Sequence, residues 1–153
     1  MKEIIIKTAA KADIPAILDI IKIGFTRYSV LATSTAASPA LSETAEDVLR
    51  DLETKQVFVA TSDGEAVGTV RVYITDDIAY VSRFASKVQG SGIGTRLIEA
   101  AALYAKKEGA TMLTLHTAAS AKSTVGFYKK LGFYTLSEEN TRGYRRLYMG
   151  KQI

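Results

Sequence analysis

The chain reads as an α/β protein with elements in the order βααβββαβαββ, a mixed central sheet flanked by helices. Three observations predict it. Short alternating stretches rich in Ile, Val, Tyr and Thr stand between longer runs with helical spacing. At 153 residues, 47% of them hydrophobic, the chain suffices for one domain with a substantial core, residues 1–153, and is too short for two ordinary ones. Finally, a strand at 78–86 and another at 112–116 are separated by a glycine loop and a helix. A strand–helix–strand unit implies that these two strands run parallel.

Each element has its own signal. Residues 4–8, Ile-Ile-Ile-Lys-Thr, form the first strand. Asp13 is an N-cap for a helix whose Ile14, Ile17, Leu18, Ile21 and Phe25 follow helical spacing. Residues 26–40 carry Ser, Thr, Ala and one Pro without periodicity and read as a loop with room for a short helical turn. Ser42 is placed to cap a second helix, with Glu43, Glu46 and Asp47 at its positive end and Val48, Leu49 and Leu52 on its buried face. Strands at 57–61 and 66–75 flank the turn Ser62-Asp63-Gly64-Glu65, and a turn at 75–77 leads into the strand 78–86. The next helix places Ile93, Leu97, Ala101, Tyr104 and Ala105 on one face and ends at Gly109. A strand at 112–116, a helix at 121–131 stopped by Gly132, and strands at 133–136 and 144–149 complete the chain.

Composition removes several classes of function. The absence of cysteine excludes disulfides, a zinc–thiolate site and a cysteine nucleophile, and is compatible with a reducing, cytoplasmic setting. No apolar run reaches the roughly 18 residues of a membrane span, and the N-terminal apolar stretch is too short for a signal peptide. The net charge of +4 suits a phosphate-rich ligand, but no basic block or aromatic ladder points to nucleic acid. No metal-ligand cluster or catalytic carboxylate pair stands out.

The stretch Val88-Gln89-Gly90-Ser91-Gly92-Ile93-Gly94-Thr95 organises the rest. Alternate glycines that open a helix leave backbone N–H groups bare at the positive end of its dipole, a ready phosphate site. The plainer alternative is a tight turn. The dinucleotide fingerprint would need Gly or Ala where Thr95 stands, and no Gly-Lys-Ser/Thr of a nucleotide P-loop occurs. What fits is Q-x-x-G-x-G at Gln89, Gly92 and Gly94. That spelling resembles the coenzyme A loop of the GNAT superfamily, the acyl-CoA-dependent N-acyltransferases. A second string, Phe127-Tyr128-Lys129-Lys130-Leu131-Gly132-Phe133, resembles the family's F-Y-x-K-x-G-F. Its plainer reading is a helix end with aromatics in the core. The order of elements is also that of the GNAT fold, and the likeness runs from residue 4 to about 149, strongest over 80–133.

The resemblance implies acetyl transfer from acetyl-CoA to a primary amine in a ternary complex, without a metal. It places the diphosphate on the backbone of Gly90, Ser91, Gly92, Ile93, Gly94 and Thr95, with Gln89 at the head of the loop. It places the pantetheine arm against the strand edge from Phe84 to Ser86, where the fourth and fifth strands splay, with the Phe84 N–H as oxyanion donor. Tyr128 matches the family tyrosine that protonates the departing thiolate, an ordinary phenol of pKa about 10 being a reasonable donor; packing against the pantetheine is the alternative role. The chain departs from the pattern in three places. Ser86 replaces an aliphatic residue, the connection from Ser86 to Gln89 is short, and Ala121 stands where the family often has asparagine, with Ser120 and Ser123 nearby.

The general base stays open between His116, Glu43 and a chain of waters. His116 sits beside the expected cleft, yet alternation with Leu115 and Thr117 can turn it to the other face. The acceptor, a small-molecule or peptide amine, is not legible. Residues 26–43 and 138–142 are expected to shape its pocket. A non-catalytic acyl-CoA-binding regulatory module on the same fold is the alternative function. A homodimer is compatible with the family, though no interface is legible.

Overall fold

The computed structural model describes residues 3–31, 38–140 and 142–153. Seven strands, β1 (Ile4–Thr8), β2 (Gln56–Ser62), β3 (Glu65–Thr75), β4 (Ile78–Ser86), β5 (Met112–Ala118), β6 (Tyr134–Glu139) and β7 (Arg146–Gln152), form one sheet in the order β1-β2-β3-β4-β5-β7-β6. Among the described residues four α-helices flank it: α1 (Ile14–Leu31), α2 (Ala45–Thr54), α3 (Ile93–Lys107) and α4 (Lys122–Lys130). The sequence order βααβββαβαββ is the observed order. Among the described residues only the β4–β5 pair is parallel, as the intervening helix requires.

That pair creates the site. Ile78, Ala79 and Tyr80 pair with Met112, Leu113 and Thr114, and there the β4–β5 ladder stops. Beyond it the strands diverge, β4 staying with β3 and β5 with β7. A wedge therefore opens in the middle of the sheet. Within it β4 is bulged: Thr69 opposes Ala85 while Arg71 opposes Ser82, so β4 holds one residue more than β3. Arg83 sits in the bulge with φ +48°, a left-handed conformation unusual for a residue with a side chain.

Two cores cover the two faces. On one, Ile93, Leu97, Ile98, Ala101 and Ala105 of α3 pack on Val70, Val72, Leu113 and Leu115, with Val125 and Tyr128 of α4 beside them. On the other, Ile14, Ile17, Ile20 and Ile21 of α1 meet Val48 of α2 and Val57 and Val59 of β2.

Several boundaries differ from the sequence expectation. Helix α1 does not stop at Phe25 but runs to Leu31, taking the first part of the expected loop 26–40. Tertiary contacts hold the extension. Arg27 donates to the carbonyls of Ser86 and Lys87 at 3.2 and 2.9 Å, and the Tyr28 hydroxyl accepts from the Ala118 N–H at 2.7 Å. Residues 32–37 of that loop lie outside the described residues. Asp13 ends a 3₁₀ turn, Lys11–Asp13, and accepts the Ala10 N–H at 2.8 Å rather than opening α1 itself.

Ser42 is not the cap of α2; it closes a 3₁₀ turn, Pro39–Ser42. The cap is Thr44, whose hydroxyl accepts the Asp47 N–H while the Asp47 carboxylate accepts the Thr44 N–H at 2.9 Å. This reciprocal box satisfies two backbone donors, which one serine cannot. Glu43 is thereby left outside the helix and turned to the sheet. Strand β5 continues past His116 to Ala118, β6 reaches Glu139, and β7 starts at Arg146 and ends at Gln152.

Candidate active site

The glycines of the loop do two different jobs. Gly90 and Gly92 have φ of +71° and +81°, and a Cβ at either would meet nothing within 4 Å. They are needed for backbone conformation and they leave the mouth of the loop open. Gly94 is different: a Cβ there would lie 3.1 Å from Phe84 Cζ and 3.2 Å from Phe127 Cζ. The first turn of α3 thus rests directly on a stacked aromatic pair, Phe84 and Phe127, with centroids 6.1 Å apart.

The loop is held open from behind. Arg27 grips its entry through the Ser86 and Lys87 carbonyls, and Lys87 pairs with Asp19 at 2.9 Å. The Ser86 hydroxyl donates to the Val88 carbonyl at 2.6 Å, closing a local turn that accommodates the short connection to Gln89. Among the described residues, no protein acceptor meets the N–H groups of residues 89–95. They face the cleft at the positive end of α3, the arrangement that suits a phosphate.

A cleft of about 910 Å³ runs from this loop into the wedge between β4 and β5. Phe84, Ser86, Gln89, Gly90, Ser91, Gly92, Ile93, Gly94, Thr95 and Tyr128, the site residues expected from the sequence, all line it. Ser123 also lines it, near the start of α4, while Ala121 is buried. Ser120 is not on the wall.

Tyr128 enters from the α4 side. Its ring lies among Phe84, Phe127 and Phe133, with centroids 5.6 to 6.1 Å away. Burial pushes the phenol pKa well above its ordinary value, and neighbouring Tyr28 and Tyr80 push it further. The hydroxyl is therefore protonated at any physiological pH. Among the described residues nothing hydrogen-bonds to it.

His116 enters from the opposite face. Leu113 and Leu115 point into the core under α3, so the alternating His116 projects to the α1–α2 side. The divergence of β4 and β5 exposes that face to the cleft as well, so His116 lines it although its neighbours point the other way. Its Nδ1 lies 2.6 Å from the Tyr80 hydroxyl, and its Nε2 lies 3.6 Å from Glu139. The Tyr148 ring lies beside it at 4.8 Å. Burial first, and then the charge of Arg146, hold the imidazole pKa below its ordinary value, against the opposing effect of Glu139. His116 is thus neutral at pH 7. In the tautomer that carries its proton on Nε2, toward Glu139, Nδ1 accepts from the Tyr80 hydroxyl.

Glu43 plays a different part. Its side chain is 4% exposed and accepts from both terminal guanidinium nitrogens of Arg71, one at 2.7 Å, and from Arg83 Nε at 3.1 Å. Arg71, with no exposed surface, also donates to Asp51 at 2.8 Å, and its Nε has no partner. Both oxygens of the Glu43 carboxylate are thus taken by guanidinium donors, and Glu43 is not among the described residues that line the cleft. Glu43 instead ties the segment before α2 to the β4 bulge. Nothing in the spacing of the sequence marks Arg71; a lone Arg in a Val-rich strand was the available signal.

The fold and cleft define an acyl-transferase-like α/β class, and the comparisons with known proteins narrow it. Residues 24–133 match the model of the acetyltransferase (GNAT) family, and the chain belongs to that family. A 59-residue stretch, 39% of the chain, is 41% identical to an uncharacterized N-acetyltransferase of Methanocaldococcus jannaschii. That match spans 25% of the relative's length. Among solved structures, the PaiA N-acetyltransferase of Thermoplasma acidophilum, in complex with coenzyme A, superposes with a TM-score of 0.82 at 18% identity over 99% of each chain. The ribosomal-protein-S18-alanine N-acetyltransferase of Escherichia coli gives 0.78 at 19% identity over 99% of this chain and 94% of its own. These likenesses show the fold.

Proposed function

We propose that the protein transfers an acetyl group from acetyl-CoA to a primary amine by direct attack within a ternary complex. The observation that supports this reading most is a cleft joining the glycine loop to a tyrosine hydroxyl that no group among the described residues engages. The residues fit the cosubstrate. The open N–H groups of residues 89–95 suit a diphosphate, and the unpaired edges of β4 and β5 suit an amide-bearing arm. Bound there, acetyl-CoA supplies an activated carbonyl with a thiolate leaving group.

The protein's own part is positioning, charge stabilisation and proton transfer. The bulge at Arg83 and Phe84 frees β4 backbone from the β3 ladder, so the Phe84 N–H serves as donor to the developing oxyanion. Tyr128, protonated and dry, gives its proton to the sulfur as the C–S bond breaks. On the other wall the Tyr80 oxygen takes a proton from the attacking nitrogen while its own passes to His116 Nδ1 across 2.6 Å. Glu139 holds the imidazole in the tautomer this relay needs. Of the open choices for the base, His116 acting through Tyr80 is the one supported by geometry, and Glu43 is the one opposed by it.

The deciding experiment is calorimetric titration with acetyl-CoA, with desulfo-CoA and ATP as controls, followed by an amine panel. Saturable acetyl-CoA binding, lost on Gly92→Val, and acetylated product are expected. Binding without product from any amine would assign the non-catalytic acyl-CoA-binding role instead. No binding would reduce the glycine loop to a turn and remove the reading.

A further inference from the structure

The described walls of the cleft carry arginines and no Asp or Glu. The arginines are Arg27, Arg83, Arg142 and Arg146. Three of these guanidiniums are engaged: Arg27 on backbone carbonyls, Arg83 on Glu43, and Arg146 on Glu139 at 2.8 Å. Arg142, exposed on the turn between β6 and β7, has no ion pair among the described residues. It lines the same cleft as Tyr80, His116 and Arg146. Arg146 reaches the proton-accepting wall through Glu139, which it holds at 2.8 Å and which lies 3.6 Å from His116 Nε2.

We propose that the acceptor is a primary amine that also carries an anionic group, a carboxylate or a phosphate, seated on Arg142 with Arg146 beside it. The proposal rests on the acetyl-transfer reading and names the substrate class of that same site. A guanidinium offers a planar pair of donors that matches a carboxylate or phosphate. The same charges favour the neutral form of a nearby amine, which must lose a proton before it can attack. A polyamine or aminoglycoside would instead set its further cations against a wall whose described lining residues include four arginines and no Asp or Glu, the nearby Glu139 and Glu43 being already engaged by Arg146 and Arg83. The second group of the substrate thus decides entry, and the amine then meets Tyr80.

The test is acetyl-CoA turnover by the full chain, followed by thiol release and product mass, on amines matched except for the second group. Glycine and β-alanine supply a carboxylate, O-phosphoethanolamine a phosphate, glycinamide and ethanolamine a neutral group, 1,2-diaminoethane and spermidine a cation. An anionic amine is expected to exceed its neutral and cationic counterparts at least tenfold in kcat/KM, and comparison of the first three separates carboxylate from phosphate. Arg142→Glu should abolish that preference while acetyl-CoA affinity, measured by calorimetry, is kept. Equal or better use of the cationic amines, or a preference unchanged in Arg142→Glu, overturns the proposal. Where no amine in the set turns over, N-acetylglycine and N-acetylglycinamide are titrated into the coenzyme A-loaded protein. Tighter binding of the acid, lost in Arg142→Glu, supports the proposal; equal binding or none overturns it. Failure of the unmodified chain to bind acetyl-CoA is a separate result, which removes the acetyl-transfer reading and this inference with it.

Discussion

Glu43→Gln changes one functional group and leaves the shape of the side chain intact, which makes it the sharpest probe of how the bulge is held. In the native protein Arg71 is fully buried and Glu43 nearly so, and the two are joined by paired hydrogen bonds. Removing one partner of such a pair typically costs about 3–5 kcal/mol, because a buried charge is left uncompensated. Asp51 remains 2.8 Å from Arg71 Nη1 and is itself partly exposed, so the low end, about 3 kcal/mol, is expected. For a chain of this size that corresponds to a fall in Tm of roughly 6–12 °C. Urea denaturation of Glu43→Gln, Arg71→Met and the double variant would measure it. The double variant should lose much less than the sum of the singles, since it buries no unpaired guanidinium. A loss under about 1 kcal/mol, the value of an exposed pair, or full additivity of the two changes, would refute the reasoning. Well below its Tm, Glu43→Gln should keep kcat within about tenfold. A loss of about 10²-fold or more would return Glu43 to the role of base.

Other expectations follow from the same geometry. Tyr128→Phe keeps the aromatic packing and removes only the hydroxyl, so kcat should fall about 10²–10⁴-fold with acetyl-CoA affinity nearly unchanged; equal losses in both would leave Tyr128 a packing residue. Gly94→Ala should weaken acetyl-CoA binding and cost about 1–3 kcal/mol in urea melts, because its methyl meets Phe84 and Phe127 at 3.1 and 3.2 Å. His116 faces Tyr80, Tyr148, Glu139, Arg142 and Arg146, and its pKa is held below the ordinary value of about 6.5. The acid limb of kcat/KM should therefore fall below pH 6.5, move up in Arg146→Gln and vanish in His116→Gln. The stability contribution has the same sign: it is complete above about pH 6.5 and is lost as pH drops through the lowered folded pKa. A melt that strengthens on acidification through that window would contradict it.

The sequence determined the order of elements, the parallel β4–β5 pair and the loop, because each depends on local signals. Period-2 and period-3.6 patterns, Gly109 and Gly132 at helix ends, and a glycine loop between strand and helix need no knowledge of distant residues. It also brought Phe84, Tyr128 and residues 89–95 together, since two motifs one strand apart must meet at the same sheet edge. What it left open was decided by contacts distant in sequence. Helix α1 outruns its own periodicity because Arg27 and Tyr28 find partners on β4 and β5, some 59 and 90 residues away. The cap moved from Ser42 to Thr44 because two reciprocal hydrogen bonds outweigh one. Glu43 became a partner of Arg71 once that shift turned it to the sheet. The reach of His116 into the cleft could not follow from alternation alone. Alternation assigns a face, and only the divergence of β4 from β5 makes that face a wall of the site.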